Sequence, residues 1–213
     1  MQIHNQTILI LSPHTDDAEL GCGATIRLLL EQGNQVHVAA FSACRHSVLA
    51  GYPEDVLVLE IKAATQSLGV PAENLHLYDY DVRTFNYHRQ QLLDDILKLR
   101  DTLKPNVVFV PSMNDIHQDH YTIAQEAVRA FKFATLLCYE LPWNNFEFKT
   151  TLFFGLRETH LDHKIKALAQ YKSQSHRPYM KPDFIRSLAQ VRGVQAGLEL
   201  AEVFEVVRMV IST

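Results

Sequence analysis

The chain has 213 residues, 47% of them hydrophobic and 21% charged, which predicts one globular domain over residues 1–213 with a substantial core. A formal charge of -4 without any basic cluster excludes nucleic acid or an anionic membrane surface as the main partner. No stretch approaches a membrane span, and Met1 to Gln6 lack the charged and apolar regions of a leader. Cys22, Cys44 and Cys138 form no CxxC pair and read as free buried thiols, so a cytoplasmic protein is expected.

The apolar run Thr7–Leu11 predicts a buried strand. A loop, Ser12 to Glu19, follows, then a helix suggested by Leu20, Ile26, Leu28, Leu29 and Leu30, with Gly21 and Gly23 where backbone must come close. Gln35–Phe41 is the second strand, Ser42–Pro53 a loop, and Glu54–Leu68 a helix stopped by Gly69 and Pro71. Leu75–Tyr80 predicts a third strand and Tyr87–Leu103 an amphipathic helix. The unbroken apolar run Val107–Val110 suits a strand buried on both faces of a parallel sheet. A loop to Asp119, a helix from about His120 to Phe133 and a strand at Thr135–Leu141 come next. Leu152–Leu156 and Val203–Ile211 are further strands, and Leu161–Tyr171 and Pro182–Val191 are helices. Strands alternating with helices predict a single-domain, Rossmann-like α/β fold, a mostly parallel sheet flanked by helices.

Ligands in such folds collect at the carboxyl ends of strands. Ser12-Pro13-His14-Thr15-Asp16-Asp17-Ala18-Glu19 leaves the first strand there, bringing one imidazole and three carboxylates. Helix capping is one explanation: Asp16 as N-cap with Glu19 three residues on has capping-box spacing. It does not account for His14, whereas neutral imidazole beside carboxylate suits a divalent metal such as zinc. Asn114-Asp115-Ile116-His117-Gln118-Asp119-His120 follows the buried strand at 107–110 and reaches the same edge. His120 would add a second nitrogen to His14 and Asp17 and leave a fourth position open, as in catalytic zinc sites. His117 and Asp119 read as a second pair, the carboxylate orienting a ring that faces substrate. His160-Leu161-Asp162-His163 repeats the H-x-D-H spelling before a helix at Lys164–Tyr171, where Asp162 reads as a helix-start acid and the histidines as surface residues.

With Pro13-His14-Thr15-Asp16-Asp17-Ala18-Glu19 and Asp115-Ile116-His117-Gln118-Asp119-His120, the chain resembles the PIG-L/LmbE-like zinc-dependent N-deacetylases, whose hallmarks are PHPDDxE and DxHxDH loops. Weaker likenesses run through Lys166–Gln174 and Arg192–Phe204. The resemblance implies His14, Asp17 and His120 as ligands of Zn2+, with Fe2+ able to use the same set. It implies Asp16 as the general base for the attacking water. His117 would stabilise the oxyanion and could protonate the departing amine, and Asp119 would orient that ring; Asp115, from its place in the loop, reads as a loop-shaping residue. Thr15 stands where the family has proline, Ser42–His46 where it has a GERG-like stretch, and Tyr171 where it has histidine. The implied activity is removal of an N-acetyl group from an N-acetylglucosamine-type sugar or glycoconjugate, a small-molecule substrate. Tyr139, Trp143, Phe146 and Phe148 offer rings for a sugar, or core packing equally well, and Arg45, Arg83 and Arg157 offer cations. A zinc amidase for another amide, and a non-catalytic metal or nucleotide module, are the competing readings; homo-oligomerisation is left open.

Overall fold

The computed structural model describes residues 3–211; Met1 and Gln2, part of the N-terminal stretch read above, and Ser212 and Thr213 lie outside the described residues. Period-two alternation splits the central strands between two cores. Ile8 and Ile10 of β1 (Thr7–Ser12) join one apolar cluster and Leu9 and Leu11 the other. Phe109 of β4 (Val107–Pro111) joins the first cluster, and Val108 and Val110 join the second. A strand buried on both faces belongs in the middle of a sheet covered by helices, and that is where both lie.

The sheet has seven strands in the order β3-β2-β1-β4-β5-β7-β6. The remaining strands are β2 (Gln35–Ala40), β3 (Leu75–Leu77), β5 (Thr135–Tyr139), β6 (Leu152–Leu156) and β7 (Leu200–Arg208). The five strands from β3 across to β5 pair in parallel, while β7 runs antiparallel to both β5 and β6. On one face lie α1 (Asp17–Glu31), α2 (Val56–Leu68), α5 (Glu158–Leu168) and α6 (Pro182–Gln195). On the other lie α3 (Arg89–Leu103) and α4 (Gln118–Ala130). The chain order therefore reverses between β1 and β4, which opens a crevice at their carboxyl ends.

The expected fold class holds, and the boundaries shift where local chemistry outweighs pattern. α1 begins at Asp17 and α4 at Gln118, each two to three residues ahead of the apolar periodicity, because polar residues fill the first turns. α4 stops at Ala130, and Phe133 beyond it is 90% exposed. α5 begins at Glu158, so His160 and Asp162 lie inside a helix rather than before one. His160 is also buried, against the surface position expected for it, with one ring nitrogen accepting from Arg157 N–H at 3.1 Å.

A buried ion pair joins α5 to β7, and the α1 backbone bonds to both of its members. Lys164 Nζ lies 2.6 Å from Glu202 Oε1 and also donates to the Leu20 carbonyl at 2.6 Å. Ala24 and Thr25 N–H groups donate to the same Glu202 carboxylate at 3.2 and 2.7 Å. Gly23 permits this approach, since a Cβ there would fall 2.8 Å from Lys164 Cγ. Removing one partner of a buried pair strands the other charge, at a cost of about 3–5 kcal/mol. Lys164→Met should lower the urea unfolding free energy by about that amount. Adding Glu202→Gln, which keeps an acceptor without the charge, should recover much of the loss.

Candidate active site

β1 pairs directly with β4, Ile8 opposite Val107, so the loops leaving their carboxyl ends are neighbours although 93 residues lie between Pro13 and Val107 in the sequence. The first loop is held by its own small residues. Ser12 Oγ donates to the His14 carbonyl at 2.5 Å and accepts from Ala18 N–H at 3.1 Å. Tyr171 Oη donates to the Thr15 carbonyl at 2.6 Å, and Ser42 N–H to the Pro13 carbonyl at 3.0 Å. In the second loop Asp115 Oδ1 accepts from His117 N–H at 2.8 Å, and Ile116 N–H reaches the Asn144 carbonyl at 3.2 Å.

Three donor atoms from the two loops form a near-equilateral triangle. His14 Nδ1 lies 3.2 Å from Asp17 Oδ2 and 3.1 Å from His120 Nε2, which is 3.3 Å from Asp17 Oδ2. Tetrahedral bonds of roughly 2.0–2.1 Å put neighbouring ligand atoms about 3.3 Å apart, so a zinc-sized cation fits these three. Each histidine is braced from behind by a carboxylate: His14 Nε2 is 3.0 Å from Asp119 Oδ2, and His120 Nδ1 is 2.8 Å from Asp115 Oδ2. A carboxylate on the far nitrogen fixes the ring and raises its basicity as a ligand. His117 stacks on His120, with centroids 4.6 Å apart, and the ligand atoms of His14, His117 and His120 lie within 4.8 Å of one another. Either set could hold a metal; the tighter spacing and bracing favour the one containing Asp17.

The electrostatics follow from burial and close charges. Burial alone would depress His120, yet the Asp17 charge and hydrogen bonds to Asp115 and Asp17 carry it up to about 10. Burial would raise Asp17, and the His120 and His14 charges instead hold it well below the usual carboxylate range. Asp16 is pushed up to about 6 by burial and by Asp17. It occupies the N-cap position of α1, but its side chain makes no capping hydrogen bond, so the capping-box reading fails. Glu19 is fully buried, neither carboxylate oxygen has a hydrogen-bond partner, and burial pushes it up to about 8.

Asp119 sits differently from its expected place. Its carboxylate serves His14 and accepts from Arg83 and Phe85 N–H groups at 2.6 and 3.3 Å, while its separation from His117 Nδ1 is 4.0 Å. Its backbone N–H, at 3.2 Å from His117 Nδ1, is what orients that ring, because His117 is the N-cap of α4. Burial and the neighbouring His14 and His120 lower His117 to about 4, the neutral form, where a carboxylate partner would have favoured imidazolium.

The aromatic residues that the sequence offers for a sugar divide. Tyr139 is fully buried with its hydroxyl on the Leu11 carbonyl at 3.0 Å, and Trp143 stacks on Tyr179 at 4.0 Å. Phe146 is exposed. His160 and Asp162 bond to Arg157 and Arg186, and His163 to the Thr159 carbonyl, away from this cluster. The brace from Arg83 and Phe85 carries no motif, and Tyr171 lies in the Lys166–Gln174 likeness without its tie to Thr15 being foreseen; Arg83 takes φ 70°, a left-handed turn that spelling does not reveal.

These features define an α/β protein with a histidine–carboxylate centre at the topological switch point of its sheet. The PIG-L pattern, described as GlcNAc-PI de-N-acetylase, matches residues 9–131, from β1 through α4, and the chain belongs to that deacetylase family. A relative from Escherichia coli strain K12, named as the uncharacterised deacetylase YaiS, is 27% identical over 78% of this chain and 90% of its own length. The N,N'-diacetylchitobiose deacetylase of Pyrococcus horikoshii superposes with a TM-score of 0.79 at 19% identity, covering 94% of this chain and 83% of its own. GalB, the 4-carboxy-2-hydroxymuconate hydratase of Pseudomonas putida KT2440, gives the same TM-score at 19% identity over 98% of both chains. At such identity these likenesses show the fold alone, and a fold that carries both names leaves chemistry to be argued from the site.

The charge arrangement predicts how chelator-treated protein responds to pH. His120, raised from 6.5 to about 10, contributes stability that is complete below 6.5 and lost as pH climbs through 10. Glu19, raised from 4.5 to about 8, favours the folded state in its protonated form, so its contribution declines between those values. Urea midpoints should fall from pH 5 to 10. Glu19→Gln should flatten the fall between 4.5 and about 8, and His120→Gln the fall between 6.5 and about 10.

Proposed function

We propose that this chain is a zinc-dependent N-deacetylase that removes an acetyl group from an N-acetylglucosamine-type sugar or glycoconjugate. Supporting it is one observation above others: donor atoms of His14, Asp17 and His120 meet at 3.1–3.3 Å, with both histidines backed by carboxylates. In this reading those three hold the cation, and Fe2+ would suit the same mixed nitrogen and oxygen set. A magnesium site would call for oxygen ligands instead. When bound, such a metal supplies Lewis acidity that polarises the amide carbonyl and brings a water's pKa to about 7.

The residues divide the remaining work. Asp16 precedes ligand Asp17, is free of any capping bond, and is held near pH 6, so it can take the proton of the attacking water at neutral pH. The same proton then goes from Asp16 to the departing nitrogen as the C–N bond breaks, leaving acetic acid and an amine, which become acetate and ammonium when the acid's proton passes to the amine at neutral pH. His117, neutral and accepting at Nδ1, presents Nε2–H to the oxygen that gains charge as water adds to the carbonyl. Asp119 holds His14 in place, and its backbone holds His117. Buried free thiols at Cys22, Cys44 and Cys138 suit a reducing, cytoplasmic setting. No helix among the described residues is long and apolar enough to cross a membrane.

Acetate release from N-acetylglucosamine derivatives, with metal content measured in the same samples, tests the proposal. Asp16→Asn should cut kcat by about 10²–10⁴-fold while metal stays bound. His117→Ala should cost about 2.7–4 kcal/mol in transition-state stabilisation. His14→Ala, Asp17→Ala and His120→Ala should each lose metal and activity together. Full activity after metal removal, or hydrolysis confined to amides other than N-acetyl, would overturn this assignment in favour of another mechanism or a broader amidase.

A further inference from the structure

Eight of the eleven arginines are ion-paired to carboxylates, as in Arg89–Glu126, Arg157–Glu31 and Arg192–Glu140. Arg208 donates to the Phe131 carbonyl. Arg83 and Arg177 are the two with neither kind of anchor for their charge, and both border the candidate site.

Arg177 is half-buried and rigidly seated on neutral groups. Its Nε donates to Gln174 Oε1 at 2.6 Å and its Nη1 to the Tyr179 hydroxyl. Gln174 is buried and bonded to Ser173, whose N–H and hydroxyl are fixed on the buried Glu60 carboxylate at 2.8 and 2.6 Å. Tyr179 lies flat against Trp143, 4.0 Å between centroids and 9° between planes. This wall is joined to the site at both ends. Tyr171, just before the Gln174 turn, grips Thr15, and Asn144, just after Trp143, grips Ile116 beside His117. The guanidinium is close enough for Asp16 to feel its charge, yet outside ion-pair contact.

Arg83 lies beside the start of α4. Its backbone N–H is fixed on Asp119, its carbonyl on Gln118, and its side chain is exposed. Its backbone takes φ 70°, a left-handed conformation that a bulky residue keeps where surroundings enforce it.

A half-buried guanidinium seated on neutral groups and the Tyr179 ring, with no carboxylate in ion-pair contact, keeps its full charge for an anion, and its planar fork matches carboxylate or phosphate oxygens. We propose that the substrate of this centre carries an anionic group, carboxylate or phosphate, set apart from the amide that is cleaved. Arg177 on the Trp143–Tyr179 wall binds that group, and Arg83, beside Asp119, supplies a second cation. This rests on the reading of the centre as an N-deacetylase and narrows its substrate to acidic N-acetyl amino sugars.

Calorimetric binding to the zinc-loaded protein tests it with N-acetylglucosamine, N-acetylglucosamine 6-phosphate and N-acetylmuramic acid, which carries a carboxylate. At least one anionic probe should bind about tenfold or more tightly than the neutral sugar. The advantage should disappear in Arg177→Gln, survive partly in Arg177→Lys, and shrink in Arg83→Gln. In the unaltered protein it should also diminish as salt rises, a readout independent of whether a variant folds. Whichever probe gains identifies carboxylate or phosphate as the anion. Equal affinities, no binding of either anionic probe, or an advantage untouched in folded Arg177→Gln would overturn the proposal. Acetate release measured in parallel keeps the two readings apart. Hydrolysis without charge preference removes the anion clamp and leaves the deacetylase; anion binding without hydrolysis does the reverse.

Discussion

The parallel pairing of β1 with β4 is the constraint on which the rest depends. Backbone hydrogen bonds between Ile8–Ile10 and Val107–Phe109 set these strands side by side at the point where chain order reverses. Because both strands are buried on both faces, their register is fixed by two cores at once, and a slip of one residue would turn each side chain to the wrong layer. The ends of the two loops are thereby placed with the precision of the sheet rather than that of the loops themselves.

That precision matters because the site concentrates charge. Asp16, Asp17, Asp115 and Asp119 lie among three imidazoles in a largely buried space. Proximity sorts the carboxylates. Asp17, facing two imidazoles, is held ionised, whereas Asp16, facing Asp17, titrates near neutrality. Adjacent residues of one type thus acquire different chemical characters from direction alone. The bracing carboxylates behind His14 and His120 come from the second loop, so each half of the site depends on the other: Asp119 holds a histidine of the first loop, and Asp17 faces one of the second.

How much of this is legible in the residues follows the same division between sheet and loop. Continuous apolar runs at Thr7–Leu11 and Val107–Val110 mark central strands, and the clustered His and Asp residues after each mark a site. Spelling cannot tell which carboxylate serves which ring. Spacing pairs Asp119 with His117, two residues away, yet its carboxylate lies against His14, because the α4 first turn points that side chain across the crevice and leaves only the backbone N–H for its neighbour. Nor does residue type distinguish Glu19 as a partnerless buried acid from Asp17 as a paired one, since both occupy the first turn of α1. Arg177 and the Trp143–Tyr179 stack come from irregular segments with no period to read, and their meeting is a tertiary event.

The Glu202 carboxylate, gripping the α1 backbone beside Lys164, has a consequence for the order in which the molecule matures. α1 is made early, but its anchor lies on β7, which leaves the ribosome after every other strand of the sheet. Until that strand inserts between β5 and β6, Lys164 lacks its counter-charge and the Ala24 and Thr25 N–H groups of α1 lack this acceptor. The helix that carries Asp17 at its first turn is therefore fully anchored only by the last strand of the sheet in chain order, although the site residues themselves all precede it.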